Sequence, residues 1–297
     1  MLRFLSPIYS KTGLLILSMG MGILIPQGHV FSCLIQYLLM FILFFAFLDV
    51  KIKLDFLNIN VFLILIANVV LAIIFYMLLL PFNREFALLA FITAISPTAN
   101  SAPIVVNYLN GKTDYVLASL LITNIAIALI IPFILPVIFS KNEFNISTGI
   151  ILGATLYTVF IPVLLSQLTH FIPDKIINPV KQIKFISFYA WLAILFLSTS
   201  KASYFLLNDC TSSKQLLVST AIIPLVICIV NFSLGYVIGG KKFAKEASQS
   251  LGQKNTTFTI WLSLTFLNPF FVLGPAFYII YHNLYNSYQF YRYYQRR

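Results

Sequence analysis

The chain is a succession of apolar segments, each about 20 residues long, that match the hydrocarbon thickness of a bilayer when they are helical. They fall at residues 12–28, 31–49, 59–80, 86–109, 115–139, 148–170, 185–206 and 215–238. Because 60% of the residues are hydrophobic and only 9% are charged, the chain cannot cover a water-exposed surface. The sequence therefore predicts an all-α polytopic membrane protein whose main partner is the lipid bilayer.

The stretch 243–288 decides how many helices cross the membrane. Its first part, up to Thr257, is mostly polar, whereas Phe258 to Tyr281 is apolar enough for one span. Hydropathy therefore allows nine spans, with residues 240–257 as a loop. It also allows about ten spans, with the polar residues inside the ninth.

Lysines and arginines distinguish the two topologies because they concentrate in cytoplasmic loops. With ten spans, the outer side receives only Arg84, Lys141, Lys201 and Lys214. With nine spans, the C-terminal arginines also move outside and the asymmetry weakens. The sequence thus favours ten spans in the cytoplasmic membrane, with both termini cytoplasmic. The net charge of +11 follows from this orientation, so no nucleic-acid partner is predicted.

The chain also divides into two predicted halves, residues 1–140 and 141–297, with five spans each. An odd number of spans per half means that the second half enters the membrane from the opposite side. The fourth span of each half is interrupted by polar or helix-breaking residues, at 96–103 and at 250–257. Broken spans at matching positions of two inverted halves are typical of secondary transporters and mark their binding site.

The first break contains two prolines, Pro97 and Pro103. A proline inside a helix removes a hydrogen bond and crowds the carbonyl four residues earlier, so we expect an unwound segment between them. Irregular backbone at membrane depth must line a cavity or be buried in protein. The polar side chains available there are those of Thr98, Asn100 and Ser101. The alternative is two independent proline kinks, which are common in membrane helices.

The second break contains Lys254, the one charged residue that we place inside a span and not near a span end. A charge at mid-membrane costs roughly 2.5–3.5 kcal/mol on insertion scales and seldom lacks a role. Glu246 lies roughly 12 Å away along an unbroken helix, too far for a direct pair. Lys254 must therefore be neutral, hydrated, hydrogen-bonded to oxygen atoms or paired with an anionic substrate. If the helix begins later than predicted, Lys254 instead snorkels to the membrane surface.

Four segments carry a resemblance to a known family of carriers. They run from Leu39 to Asp49, from Ser96 to Leu109, from Gly252 through Asn255 into the next helix, and from Gly274 to Asn283. On these motifs the chain resembles the bile acid:sodium symporter family. The resemblance implies a panel of helices beside a core, with broken helices 4 and 9 crossing at mid-membrane. It also implies a small organic anion as substrate, carried with sodium.

The resemblance further implies which residues form the site, including hydroxyl and amide residues on the helix after the first break. The predicted substrate- and ion-binding residues are Pro97, Thr98, Asn100, Ser101, Thr123, Asn124, Ser250, Gln253, Lys254, Asn255 and Thr256. The candidate sodium ligands among them are Asn100, Ser101, Thr123 and Ser250.

The second break departs from the family pattern, Glu-x-Gly-x-Gln-Asn, because Ser250 replaces the acidic residue and Lys254 replaces the glutamine. Two unit charges 4 Å apart interact by roughly 4 kcal/mol at an effective dielectric of about 20, so sodium beside a charged lysine is disfavoured. We therefore expect the Lys254 ammonium to act in place of a sodium ion. A lysine removed from water loses its proton more readily, which makes proton coupling compatible with this role.

A sodium-coupled carrier would turn Lys254 away and bind the ion through Asn100, Ser101, Thr123, Ser250 and Asn255. A membrane-embedded enzyme would need buried acidic clusters or a serine with a base, and the sequence predicts none, so no enzyme and no cofactor are expected. A passive channel is a further alternative, although breaks that match between the halves suit alternating access better. The sequence specifies neither the substrate nor the oligomeric state.

Overall fold

A computed structural model describes the protein over residues 2–48, 59–139, 147–208 and 214–295. Within these ranges every regular element is helical, which confirms the predicted all-α class. The α-helices are α1 (Leu2–Leu24), α2 (Leu34–Phe47), α3 (Ile59–Leu79), α4 (Arg84–Ile95), α5 (Ala102–Tyr108), α6 (Thr113–Ile138), α7 (Thr148–Thr155), α8 (Ile161–Leu168), α9 (Asp174–Gln182), α10 (Ile186–Asn208), α11 (Lys214–Gly252), α12 (Thr256–Phe266) and α13 (Leu273–Gln295). Asp49 and the predicted boundary between the halves at residue 140 lie outside the described residues.

Five of the described helical segments are long and apolar enough to cross a membrane. They are Ile59–Leu79, Thr113–Ile138, Thr148–Phe171, Lys175–Asn208 and Val218–Gly252. Shorter apolar helices occur at Gly13–Leu24, Leu34–Phe47 and Thr256–Phe266. Length and composition thus agree with the prediction of a helical membrane protein.

The chain reverses direction within α11. At Gly240 the backbone adopts φ 56° and ψ −153°, a left-handed region that glycine enters without steric cost. Beyond this point the chain packs back on itself, because the Ser248 hydroxyl donates to the carbonyl oxygen of Phe232 (2.7 Å). α11 therefore has two antiparallel arms, a long first arm at residues 214–239 and a short second arm at residues 244–252.

The two predicted breaks are both present as gaps between short helices. α4 has 12 residues and is followed by the seven-residue α5, whereas the short second arm of α11 is followed by the 11-residue α12. At 1.5 Å per residue α4 is about 18 Å long, which is less than the roughly 30 Å of a hydrocarbon core. Neither α4 nor α12 can cross a membrane alone.

The helices pack in two groups. In the first group α10 packs against α1 and α2, and α2 packs against α8, whereas in the second α3 to α6 pack with α11 to α13 around the breaks. The approach of α1 to α10 is close because Gly22 has no side chain: a Cβ there would lie 2.0 Å from Oγ1 of Thr199. The Ser18 hydroxyl adds a hydrogen bond to the carbonyl oxygen of Leu192 (2.7 Å). The groups meet where α12 contacts α2 and α10.

Hydropathy alone suggested a single span from Phe258 to Tyr281. In the structure this apolar stretch is divided. α12 ends at Phe266, and Leu267 is extended, with φ −123° and ψ −168°. Pro269 then begins a 3₁₀ turn, and α13 starts a few residues later. The division arises because proline favours the start of a helical segment and hydropathy does not detect it.

Candidate functional site

The two breaks lie against each other, although more than 150 residues separate them in sequence. Two main-chain hydrogen bonds join the unwound segments, from Ala99 N to Gln253 O (2.9 Å) and from Asn255 N to Pro97 O (2.7 Å). Buried main-chain groups that leave a helix need new partners. The breaks supply such partners to each other, which explains how irregular backbone is accommodated here.

The first break is caused by Pro97 and not by Pro103. Ser96, which precedes Pro97, has ψ 132°, the extended conformation that a following proline imposes. Pro103 lies in the first turn of α5, where its missing N–H has no helical partner to lose. The expectation that both prolines remove a helix hydrogen bond is therefore wrong for Pro103.

The second break contains no proline and is stabilised by side chains of the helices that pack against it. The Tyr278 hydroxyl on α13 donates to the carbonyl oxygen of Gly252, the last residue of α11 (2.7 Å). The amide of Asn231, on the first arm of α11, donates in turn to that hydroxyl (3.2 Å). The ring of Phe232 covers Gly252 so closely that a Cβ there would lie 2.3 Å from Cδ1 of the ring.

The Lys254 side chain is almost fully buried, with 2% of its surface exposed. Its ammonium donates to Oδ1 of Asn68 on α3 and to the carbonyl oxygen of Ala94 (2.9 Å) in the last turn of α4. The Asn68 amide donates to the next two carbonyl oxygens, of Ile95 (3.3 Å) and Ser96 (3.0 Å). The ammonium thus lies at the C-terminal end of α4, where unpaired carbonyls and the helix dipole favour a cation.

This environment excludes two of the interpretations of Lys254 left open by the sequence. Residues 250–257 are all buried inside the protein, so neither a loop at 240–257 nor a snorkelling Lys254 is correct. Of the remaining alternatives, the structure shows hydrogen bonding to oxygen atoms. Both acceptors, on Asn68 and Ala94, are neutral amide or carbonyl groups.

Most of the predicted site residues meet in one hydrogen-bonded network. The Thr98 N–H donates to Oγ1 of Thr123 (3.0 Å), and its hydroxyl donates to the carbonyl oxygen of Ser250 (2.7 Å). The Asn124 amide donates to the carbonyl oxygen of Thr98 (2.9 Å) and accepts from the amide of Asn255 (3.0 Å). The sequence therefore identified residues of α6 that contact both breaks.

A second chain of polar groups leads from the breaks to α13. The Ser101 hydroxyl donates to Oε1 of Gln253 (2.7 Å), whose amide donates to Gln249 one turn earlier. Gln249 donates to Asn286 and Gln289 on α13. Ser101 and Gln253 are thus joined to groups that the sequence did not assign to the site.

Three predicted residues contribute no side-chain hydrogen bond to these networks among the described residues. Oδ1 of Asn100 and the hydroxyl of Ser250 are buried and have no hydrogen-bond partner among the described residues. Thr256 is buried at the start of α12, and its carbonyl accepts from the Thr259 hydroxyl (3.2 Å). Unpaired buried polar atoms are uncommon and need an explanation.

Asn68 and Tyr278 are the main site residues that sequence reasoning missed. Asn68 was detectable, because it is an amide in the middle of the apolar segment 59–80, whose other amide, Asn60, lies at its start. Tyr278 gave no such signal, since the chain has 16 tyrosines, several of them nearby in α13. No sequence pattern indicated the hydrogen bond between the hydroxyls of Ser96 and Thr259 (2.7 Å) either.

The described residues contain no group of three or more His, Cys, Asp or Glu side chains that could hold a metal ion. Comparison of the chain with protein-family models and with curated proteins found no match. The fold and composition on their own define a helical membrane protein in which two broken segments meet inside the protein.

Proposed function

We propose that the protein is a secondary active transporter of a small organic anion, in which the Lys254 ammonium acts in place of a sodium ion. The observation that carries this proposal is the position of that ammonium, at the carbonyl end of α4 and between two breaks that bind each other. A buried cation that stabilises helix ends is the part that a coupling ion plays in transporters with broken helices.

The ammonium is also suited to bind an anion. It carries three donors, of which Asn68 and the carbonyl of Ala94 use two. The third donor has no partner among the described residues, and we propose that it binds a carboxylate or sulfonate group through a charge-assisted hydrogen bond. Keto acids, sulfonates, bile acids and acidic vitamins all offer such a group.

The supports of the two breaks resemble each other, which favours two inverted five-helix halves. Asn68, on α3, binds carbonyls at the first break, and Asn231, on the first arm of α11, binds the second break through Tyr278. In a ten-span arrangement these asparagines lie on the third span of each half. Transporters built in this way alternate access by rocking one group of helices against the other.

The distribution of charge supports a cytoplasmic-membrane location with cytoplasmic termini. The turn between α5 and α6 and the turn within α11 lie together, because the Lys245 ammonium reaches the carbonyl oxygen of Leu109 (3.5 Å). Lys112 and Lys242 both lie 5.2 Å from the centre of the Phe243 ring. Such a basic end is expected on the cytoplasmic side.

The test begins with purified protein in detergent, screened for thermal stabilisation by small organic anions with and without sodium at two pH values. Anions that stabilise are then used for uptake into proteoliposomes with a sodium gradient or a proton gradient. We expect uptake by the unmodified protein without sodium, and loss of that uptake in Lys254→Gln. Lys241→Gln, the same change at an exposed position, should transport normally. Unchanged uptake by Lys254→Gln under both gradients rules out this role of Lys254.

A sodium-coupled carrier is the second candidate, favoured by the unpartnered oxygens of Asn100 and Ser250. Oxygen atoms without donors could coordinate sodium. In this case sodium should raise the melting temperature of the unmodified protein, and Asn100→Ala or Ser250→Ala should remove the effect. Ser187→Ala is the matched control, because the Ser187 hydroxyl on α10 is also buried and unpartnered. Absence of any sodium effect excludes this candidate.

A further inference from the structure

A groove of about 280 Å³ opens between the first arm of α11 and α13. Its wall includes Leu225, Cys228, Ile229, Phe232, Tyr281 and Tyr285. Leu284 and Ser233 complete the wall, so apart from one serine hydroxyl, two tyrosine hydroxyls and one thiol its side chains are aliphatic or aromatic. The groove is therefore suited to an apolar occupant, and nothing in the proposed transport mechanism uses it.

In a ten-span arrangement the groove lies at the depth of the hydrocarbon core. Residues 225–232 belong to the long apolar segment Val218–Gly252, about 12–22 Å along the helix from the turn at Gly240. A hydrocarbon core is about 30 Å thick, so this stretch of α11 lies near its middle. Ile229 is 58% exposed in the absence of lipid, which shows that the groove is open to the outside of the protein.

The shape of the groove follows the helix axes. On α11 its wall residues recur at positions 225, 228, 229 and 232, which form one face over two turns. On α13 the positions 281 and 285 are again one turn apart. The first arm of α11 belongs to a segment long and apolar enough to cross a membrane, so a groove along its axis is roughly parallel to lipid acyl chains.

The floor of the groove contacts the second break. Cys228 and Phe232 are each only 3% exposed, and the Phe232 ring covers Gly252 at the end of α11. The rings of Phe232 and Tyr285 lie 4.3 Å apart, centre to centre. An occupant of the groove therefore touches the residue that packs directly on the break.

We propose that this groove binds an acyl chain of a membrane phospholipid. The apolar wall, the depth in the bilayer and the axial direction all match a hydrocarbon chain, and a polar ligand would lose its hydration there without replacement. Through Phe232 the bound chain supports the conformation of Gly252. The proposal does not depend on the transport function.

The test uses nanodiscs of phosphatidylethanolamine and phosphatidylglycerol that contain a phosphatidylcholine probe with a diazirine at the end of one acyl chain. After illumination, adducts are mapped by mass spectrometry. We expect adducts at residues 225–232 and 281–285 to exceed those at Ile66 and Val70, exposed positions on α3, by about fivefold, a preference of about 1 kcal/mol. Groove adducts should also saturate as the probe fraction rises, while adducts on α3 increase in proportion.

A matched pair of variants identifies the groove as the site of labelling. Leu225→Trp fills the groove and should reduce its adducts to the level of α3. Leu129→Trp, at a position on α6 with nearly the same exposure (41% against 40%), should not. Equal and unsaturated labelling of both helices indicates ordinary surrounding lipid and overturns the proposal. Groove labelling that survives Leu225→Trp also overturns the proposal. If Leu225→Trp does not fold, the test is saturation in the unmodified protein: adducts in the groove that saturate support the proposal, and adducts that do not saturate overturn it.

Discussion

The Lys254 ammonium donates a hydrogen bond to the main-chain oxygen of Ala94 (2.9 Å), a residue 160 positions earlier in the chain. The backbone of Lys254 forms an antiparallel bridge with Thr98 in the first break. One residue therefore connects the second break to the end of α4 by its side chain and to the unwound segment by its main chain. The geometry of the crossing should depend on it.

Replacement of Lys254 by methionine keeps an unbranched side chain, one atom shorter, but removes its donors. Asn68 Oδ1 and the Ala94 carbonyl then lose their partner in a buried environment, so we expect the free energy of unfolding to fall by about 1–3 kcal/mol. Thermal unfolding in detergent measures the change. Lys241→Met, at an exposed position, should stay within about 0.5 kcal/mol of the unmodified protein. Equal melting temperatures for both variants would show that Lys254 does not support the crossing.

Asn68 and Lys254 should be energetically coupled because they share one hydrogen bond. In a double-mutant cycle with Asn68→Leu and Lys254→Met, the two losses of stability should differ from additivity by about 0.5–3 kcal/mol. The second substitution costs less once the first has removed the partner. Asn68→Leu combined with Lys241→Met should be additive and serves as the control cycle. Additive losses in both cycles would contradict the coupling.

The sequence located both breaks and the burial of Lys254, because prolines, polar runs and an isolated charge are visible in an apolar chain. It could not identify the Ala94 carbonyl as the partner of Lys254, since a main-chain oxygen has no sequence signal and the pair is separated by 160 positions. Pro103 was misinterpreted for a related reason. Whether a proline breaks a helix or begins one depends on where the helix starts, which the sequence gives only approximately.

Hydropathy also failed at the connections between helices. The apolar stretch around Leu267 was read as continuous because its composition does not change where the backbone becomes extended. The amphipathic α9 was not predicted, since it is short and contains lysines. Average apolarity locates segments in lipid, but the positions where helices end depend on local backbone geometry.

Gly252 should not tolerate a side chain, because the Phe232 ring occupies the space beside it. Gly252→Ala places a methyl group 2.3 Å from a ring carbon, and we expect a loss of about 1–3 kcal/mol from overpacking. Thermal unfolding measures it, and Phe232→Leu in the same chain should recover part of the loss. Gly153→Ala on α7 is the control, since nothing lies within 4 Å of its added methyl, and it should gain up to about 1 kcal/mol of helix propensity. A Gly252→Ala variant as stable as Gly153→Ala would mean that the ring moves away at no cost.

Tyr278 should stabilise the second break through its hydroxyl alone. In Tyr278→Phe the ring stays, but the carbonyl oxygen of Gly252 loses its donor and the Asn231 amide loses its acceptor. Since Tyr278 is fully buried, water cannot easily replace the hydroxyl, and we expect the free energy of unfolding to fall by about 1–3 kcal/mol. Tyr37→Phe, at a position that is 60% exposed, controls for loss of a hydroxyl and should be nearly neutral. If both variants unfold at the same temperature, the end of α11 is held by its packing against Phe232 and not by this hydrogen bond.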